Sequence, residues 1–248
     1  MSGHSKWSTI KRKKGAADAK RGKIFTKIIK EIIIAAREGG GDPDLNARLR
    51  LAIQNAKGAN MPKDNIERAI KKATGSDAES YTETSFEGYG PYGIAVYADV
   101  LTDNNNRTVA AVRAAFNKYG GNLGTKGSLS FLFNTKGIFS FRNEGLHTED
   151  LELEMIDSGA EELDIDGDMI TITCAKEDFG NVSRKLNELG IEPEESGLKR
   201  IPNDTKKLDV ESARKVLKFI EALEDDDDIQ NVYHNLEMTD ELAAALDN

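Results

Sequence analysis

Apolar residues recur at three- and four-residue steps through the first quarter of the chain, the spacing that lines one face of an α-helix. Phe25, Ile28, Ile29, Ile32, Ile33 and Ala36 form such a stripe and predict a helix over 17–38, stopped by Gly39, Gly40 and Gly41. Asp42, Pro43 and Asp44 open a second helix, with Asp44 as N-cap and Leu45, Leu49, Ala52, Ile53 and Ala56 as its stripe, until Gly58 and Asn60 break it. Pro62 suits the first turn of a third, whose inward face is Ile66, Ala69, Ile70 and Ala73 and whose end is Gly75. None of the three buries its stripe alone, so together they predict a small bundle.

After Ser76 the period changes from 3.6 to 2. Strands over 85–88 and 94–101 are joined through the glycine-rich segment 88–93. Residues 103–106 cap a helix carrying Val109, Val112, Ala115 and Phe116, which Gly120 and Gly121 end, and another strand covers 129–133. A strand over 137–142, a helix over 148–158, strands over 162–165 and 169–175 around Asp166-Gly167, a helix over 177–189 and a strand near 192–200 follow. That is β-α-β-β-α-β, the ferredoxin-like order.

The remaining helix over 210–223, acidic turn over 224–228 and strand over 229–236 are too few for a domain. They are expected to return to the earlier three-strand, one-helix unit. The expected fold class is therefore α+β with three domains. A basic arm and all-α helical bundle take 1–76, a middle α+β domain takes 77–134 with 204–248, and a ferredoxin-like α+β domain is inserted over 135–203.

Composition narrows the chemistry. No stretch approaches the roughly 20 apolar residues of a membrane helix, and the N-terminus carries no apolar signal core, which predicts a cytoplasmic protein with no membrane partner. The lone Cys174 lies in the alternating run 170–174 and reads as a buried structural thiol. His4, His147 and His234 are scattered, so no metal site is expected. Carboxylate pairs such as Glu161-Glu162 and Glu194-Glu195 have no histidine, metal spacing or phosphate loop beside them. The 88–93 segment matches neither the Walker pattern nor the dinucleotide fingerprint. The chain reads as a non-enzyme without cofactor or small-molecule substrate.

Charge supplies the functional signal. The net −9 hides an asymmetry: residues 1–72 hold 18 Lys and Arg against 7 Asp and Glu, a net +11, and the rest of the chain is left with −20. Lys6, Lys11, Arg12, Lys13, Lys14, Lys20, Arg21, Lys23, Lys27 and Lys30 are opposed only by Asp18 within the first thirty residues. Together with Trp7, whose indole suits stacking on a base or anchoring on a partner, they are the candidate nucleic-acid-binding residues. Two structural alternatives stay open: a solvated helix face, or docking on an acidic part of the same chain. The run Glu224, Asp225, Asp226, Asp227 and Asp228 is expected to be a solvated turn that repels phosphate and tolerates neutralisation. Tyr89, Tyr92 and Arg107 are candidates for a secondary RNA-facing surface, since unpaired RNA is read by stacking and by arginine; the glycines and proline beside them equally suit a tight turn.

Several motifs carry a family resemblance. Gly3-His4-Ser5-Lys6-Trp7 with its basic run, Asn60-Met61-Pro62, Phe86-Glu87-Gly88-Tyr89-Gly90-Pro91 through Asp103-Asn104-Asn105-Asn106-Arg107-Thr108, and Gly120-Gly121-Asn122-Leu123-Gly124 leading to Ser128-Leu129-Ser130-Phe131 occur in order. In these the chain resembles the YebC/PmpR family, which includes the mitochondrial translational activator of cytochrome oxidase. The resemblance covers essentially the whole chain. It implies three domains and a cytoplasmic regulator, DNA-binding and transcriptional in some members, a translation factor on the ribosome in others, and it carries over no catalytic residues. The expected partner is nucleic acid, either duplex DNA or ribosomal RNA. The rival from another class is a protein-interaction scaffold whose basic arm binds acidic partners.

Overall fold

The computed structural model describes residues 18–75 and 80–247. In chain order these form α1 (Asp18–Gly39), α2 (Ala47–Gly58), α3 (Lys63–Thr74), β1 (Thr82–Tyr89), β2 (Ala95–Thr102), α4 (Asn105–Lys118) and β3 (Asn122–Leu123). They continue as β4 (Phe133–Arg142), α5 (Thr148–Asp157), β5 (Ala160–Asp166), β6 (Met169–Ala175), α6 (Phe179–Glu188), β7 (Glu195–Pro202), α7 (Val210–Glu224), β8 (Ile229–His234) and α8 (Asp240–Asp247). The fold is α+β with two four-stranded sheets. Among the described residues, contacts gather 18–30, 80–134 and 201–247 into one compact unit, and 31–75 and 135–200 into another.

The first unit is built on the sheet β3-β1-β2-β8. β2 pairs antiparallel with β1, from Thr82↔Thr102 to Tyr89↔Ala95, and with β8, from Val96↔His234 onward. Successive side chains of a strand point to opposite faces, and both faces of β2 are covered. Ile94, Val96, Ala98 and Val100 enter the main core with Phe116 of α4 and Val216, Phe219 and Ile220 of α7. Ala95 and Tyr97 enter a smaller cluster with Leu129, Phe133 and Tyr233. A strand covered on both sides reads as a near-continuous apolar run, which is what 94–101 shows.

The second unit contains the sheet β5-β6-β4-β7, with β4 antiparallel to β6 and β5 antiparallel to β6. The element order β4-α5-β5-β6-α6-β7 is the ferredoxin-like order. Phe139, Phe141, Ile170 and Ile172 share a core with Leu151 and Met155 of α5 and Val182 and Leu186 of α6.

Local differences from the sequence reading have local causes. The N-cap of α2 is Asn46, not Asp44: its Oδ1 accepts from Leu49 N at 3.0 Å, while its Nδ2 donates to the carbonyls of Ala35 at 2.7 Å and Gly40 at 2.9 Å. An amide can cap one helix and satisfy another helix's end together, whereas a carboxylate has no donor. Leu45 therefore stays outside the helix and is 85% exposed. The strand expected over 129–133 is a 3-10 turn at Ser130–Leu132, and β4 then runs without a break. The short β3 and the C-terminal α8 were not anticipated by the periodicity.

In the second unit α2 meets β7 closely. The Asn55 amide donates to Ser196 O at 2.8 Å and accepts from Ser196 N at 2.9 Å. A Cβ at Gly58 would stand 1.9 Å from the Glu194 carbonyl oxygen, so backbone must move to admit one. Gly58→Ala is expected to destabilise the protein by about 1–3 kcal/mol, the usual cost of overpacking, measured as a lower urea midpoint with unchanged slope.

Candidate nucleic-acid interface

Of the candidate nucleic-acid-binding residues singled out from sequence, Lys6, Trp7, Lys11, Arg12, Lys13 and Lys14 lie outside the described residues. Lys20 and Arg21 fall in the first turn of α1, and Lys23, Lys27 and Lys30 follow on it at steps of four and three, which places these three on one helix face. That face meets the turn ending α7. Lys23 Nζ donates to Asp225 Oδ1 at 2.7 Å and to Asp225 O at 3.1 Å; Lys27 Nζ donates to Glu224 O at 2.8 Å. Lys30 Nζ donates to Asp227 O at 2.8 Å and Asp228 Oδ1 at 2.6 Å. The last carbonyls of a helix lack intrahelical partners and carry partial negative charge. The acidic run adds carboxylates at the same place, so the three lysines sit where the chain itself is most negative.

The run 224–228 is therefore not a wholly solvated turn. Asp228 is 4% exposed and Lys30 8%. Besides Lys30, the Asp228 carboxylate receives Arg107 Nη2 at 2.7 Å, and the hydroxyls of Thr102 and Thr108 stand at 3.0 and 2.8 Å from its Oδ2. Burial opposes ionisation here, but the hydrogen bonds from Arg107, Lys30 and Thr108 outweigh it and hold the carboxyl well below its ordinary range. The same segment is braced by Asn104, which caps α4 by accepting from Arg107 N at 3.1 Å, as its sequence position predicted. Sequence reasoning missed Asp228, because nothing near it in the chain distinguishes it from the four acidic residues before it.

Tyr89, Tyr92 and Arg107 do not come together. Tyr89 ends β1 and Tyr92 lies in the turn after it, whereas Arg107 follows Thr102 at the other end of the β1–β2 ladder. Seven residue steps at ~3.4 Å put the two ends roughly 24 Å apart. Arg107 also donates to Asp103 Oδ1 at 2.7 Å, so its guanidinium bridges two carboxylates of its own chain. Glu87, named in the sequence only as part of the motif over 86–91, is 2% exposed and accepts the backbone N–H groups of Gly127 at 2.8 Å and Leu129 at 2.7 Å, fixing the loop that leads into β4.

Among the described residues, no group of His, Cys, Asp and Glu could hold a metal ion, and no helix is long and apolar enough to cross a membrane. Cys174 is fully buried, and burial pushes its thiol up to about 11.

Two family models account for the chain almost end to end. The TACO1/YebC protein N-terminal domain matches residues 5–76, and the TACO1/YebC second and third domain matches residues 81–236. The chain belongs to the TACO1/YebC family. A probable transcriptional regulatory protein of Treponema denticola is 51% identical over 239 residues, covering 96% of this chain and 97% of that one. Another so named, from Idiomarina loihiensis, is 49% identical over 250 residues and covers both chains fully. Among solved structures, the conserved hypothetical protein Aq1575 of Aquifex aeolicus matches at a TM-score of 0.81 and 43% identity, over 89% of this chain and 91% of that one. Within the TACO1/YebC chain, the cap at Asn104 and the buried carboxylates of Glu87 and Asp228 lie in the second family match, while Lys30 lies in the first.

Removing Asp228 leaves a buried ammonium without its counter-ion, and breaking one side of a buried pair costs about 3–5 kcal/mol. Asp228→Ala is expected to lose stability of that order in urea denaturation. The carboxyl is depressed below its ordinary value of 3.8, so the unfolded chain takes up this proton first as pH falls. Its stabilising contribution is complete above that value and is lost progressively below it. The gap in stability between wild type and Asp228→Asn should accordingly narrow as pH is lowered from 5 towards 2.

Proposed function

We propose that this chain is a non-enzymatic, nucleic-acid-binding regulator of gene expression that works from the cytoplasm through its basic N-terminal segment. The observation that carries the reading is the charge of the first thirty residues. Ten cations stand there against the single Asp18, and the acidic turn engages Lys23, Lys27 and Lys30. To the other seven, Lys6, Lys11, Arg12, Lys13, Lys14, Lys20 and Arg21, we assign phosphate contact, with Trp7 as a stacking or anchoring ring. Lysines and arginines that neutralise phosphates release counter-ions, which gives affinity without sequence choice. We further propose that the segment through residue 76 acts as its own domain beside a middle domain of 77–134 with 204–248 and an inserted one of 135–203. The separate family match over residues 5–76 supports the first boundary.

Duplex DNA is the target in the first version, supported by the relatives named probable transcriptional regulatory proteins. The second version has ribosomal RNA as target and translation as the regulated step. It is favoured by the net −20 of the chain beyond residue 72, which a DNA duplex repels and which a ribosome, with proteins beside its RNA, accommodates.

Charge reversal of Lys11, Arg12, Lys13 and Lys14 to glutamate tests the shared reading. Nucleic-acid binding by fluorescence anisotropy should fall to background with the melting temperature nearly unchanged; intact binding would contradict the assignment. Binding by wild type should also weaken with salt by roughly 0.7–0.9 log units per decade for each phosphate contacted. Sedimentation of cell lysate with and without ribonuclease separates the versions: ribonuclease-sensitive migration with ribosomal particles supports translation, and free protein that prefers promoter fragments supports transcription.

A further inference from the structure

The turn at Tyr92 has a conformation that its own side chain disfavours. Tyr92 sits at φ 58 and ψ 19, and Gly93 follows at φ 69. Two successive positive φ values make the centre of a type I′-like turn, where asparagine and glycine are the unstrained choices. A bulky residue in the left-handed region is a genuine outlier, and the cost for an L-residue is about 1–2 kcal/mol. Burial does not repay it, since Tyr92 is 45% exposed and Tyr89, three residues earlier, is 46% exposed. What lies beneath is rigid: Pro91 is buried, and a Cβ at Gly90 would fall 2.8 Å from the Phe219 ring, which itself stacks at a tilt on Tyr119 at 5.7 Å.

Two lysines meet Tyr92. Lys206 Nζ donates to the Tyr92 carbonyl at 2.7 Å. The exposed Lys215 is raised above its ordinary range, first by Glu211 and then by the Tyr92 hydroxyl. Acidic groups at this end include Glu211, paired with Lys215 at 2.8 Å, Asp209, whose carboxylate is used in capping α7, and Glu237, whose backbone N–H donates to Lys206 O at 2.9 Å.

We propose that Tyr92, with Lys206 and Lys215 beside it, forms a platform on which an unpaired base of single-stranded RNA stacks. An exposed aromatic ring set on a buried base beside lysines meets the two needs of such a ligand, a surface for the base and charge for its phosphate. A duplex keeps its base faces stacked on one another and offers this surface only phosphates. The strained backbone is then the means of presenting the ring, since strain of this kind concentrates at ligand-binding positions. The proposal rests on the nucleic-acid-binding reading above and adds to it a second contact on the first sheet, at the end of the β1–β2 ladder opposite Arg107.

Tyr92→Asn tests it, because asparagine relieves the strain and removes the ring. Anisotropy titrations of the full chain would use a fluorescein-labelled single-stranded oligouridylate of twelve nucleotides and a twelve-base-pair RNA duplex. The variant is expected to melt at or above the wild-type temperature, to bind the single strand roughly tenfold more weakly, within the range for one lost stacked base, and to bind the duplex unchanged. Tyr92→Phe keeps the ring and should keep single-strand affinity. Equal single-strand binding by wild type and Tyr92→Asn would overturn the platform, as would an equal loss on both probes or a loss in Tyr92→Phe matching that in Tyr92→Asn. If wild type binds neither probe, the nucleic-acid reading fails as well. If the charge reversal at 11–14 abolishes binding while Tyr92→Asn has no effect, only the platform fails.

Discussion

One buried carboxylate holds the first unit together where α1 meets the acidic turn. Asp228 ends the acidic turn after α7, and it is held by Lys30 of α1, Arg107 of α4 and the hydroxyls of Thr102 and Thr108. Its donors come from two distant stretches of sequence, at Lys30 and over 102–108, so the carboxylate fastens α1, the end of β2 and the start of α4 at one point. A buried charge is tolerated only when paired and hydrogen-bonded. Removing any partner leaves the others with unmet demands, which makes this cluster a stricter constraint than the exposed pairs on the same surface.

The same arrangement reshapes the functional picture. A lysine-rich amphipathic helix suggests a face for phosphate, yet the face bearing Lys23, Lys27 and Lys30 is turned to the carbonyls and carboxylates that close α7. The acidic run acts as an internal counter-charge for the helix that carries the basic N-terminal segment. Exposed ion pairs contribute little stability, typically 0–1 kcal/mol, so Lys23 with Asp225 orients more than it stabilises. Lys30 with Asp228 is the anchoring pair.

Much of the fold was legible because its periods are clean. The stripes of α1 and α2, the capping asparagine before α4 and the βαββαβ order all follow from local pattern. The residues that escaped did so for non-local reasons. Asn46 rather than Asp44 caps α2 because it must also bond Ala35 and Gly40. Asp228 looks like its four acidic neighbours, and its distinguishing partner Lys30 is far away in the chain. Tyr89, Tyr92 and Arg107 seemed a set, but an antiparallel strand pair carries them to opposite ends. The strain at Tyr92 is a backbone property that no residue pattern displays. β3 has two residues and α8 eight, too short for a periodic signal.

The proposed division of the basic N-terminal stretch is between lysines committed to the acidic turn and preceding cations assigned to nucleic acid. Amine-selective labelling of lysines, read residue by residue by mass spectrometry with and without bound nucleic acid, tests it most directly. The account predicts that Lys30 is nearly unreactive in the free protein, that Lys23 and Lys27 change little on binding, and that protection appears at Lys6, Lys11, Lys13, Lys14 and Lys20. A Lys30 as reactive as the exposed Lys57, or protection centred on Lys23 and Lys27 with none at residues 6–20, would contradict it.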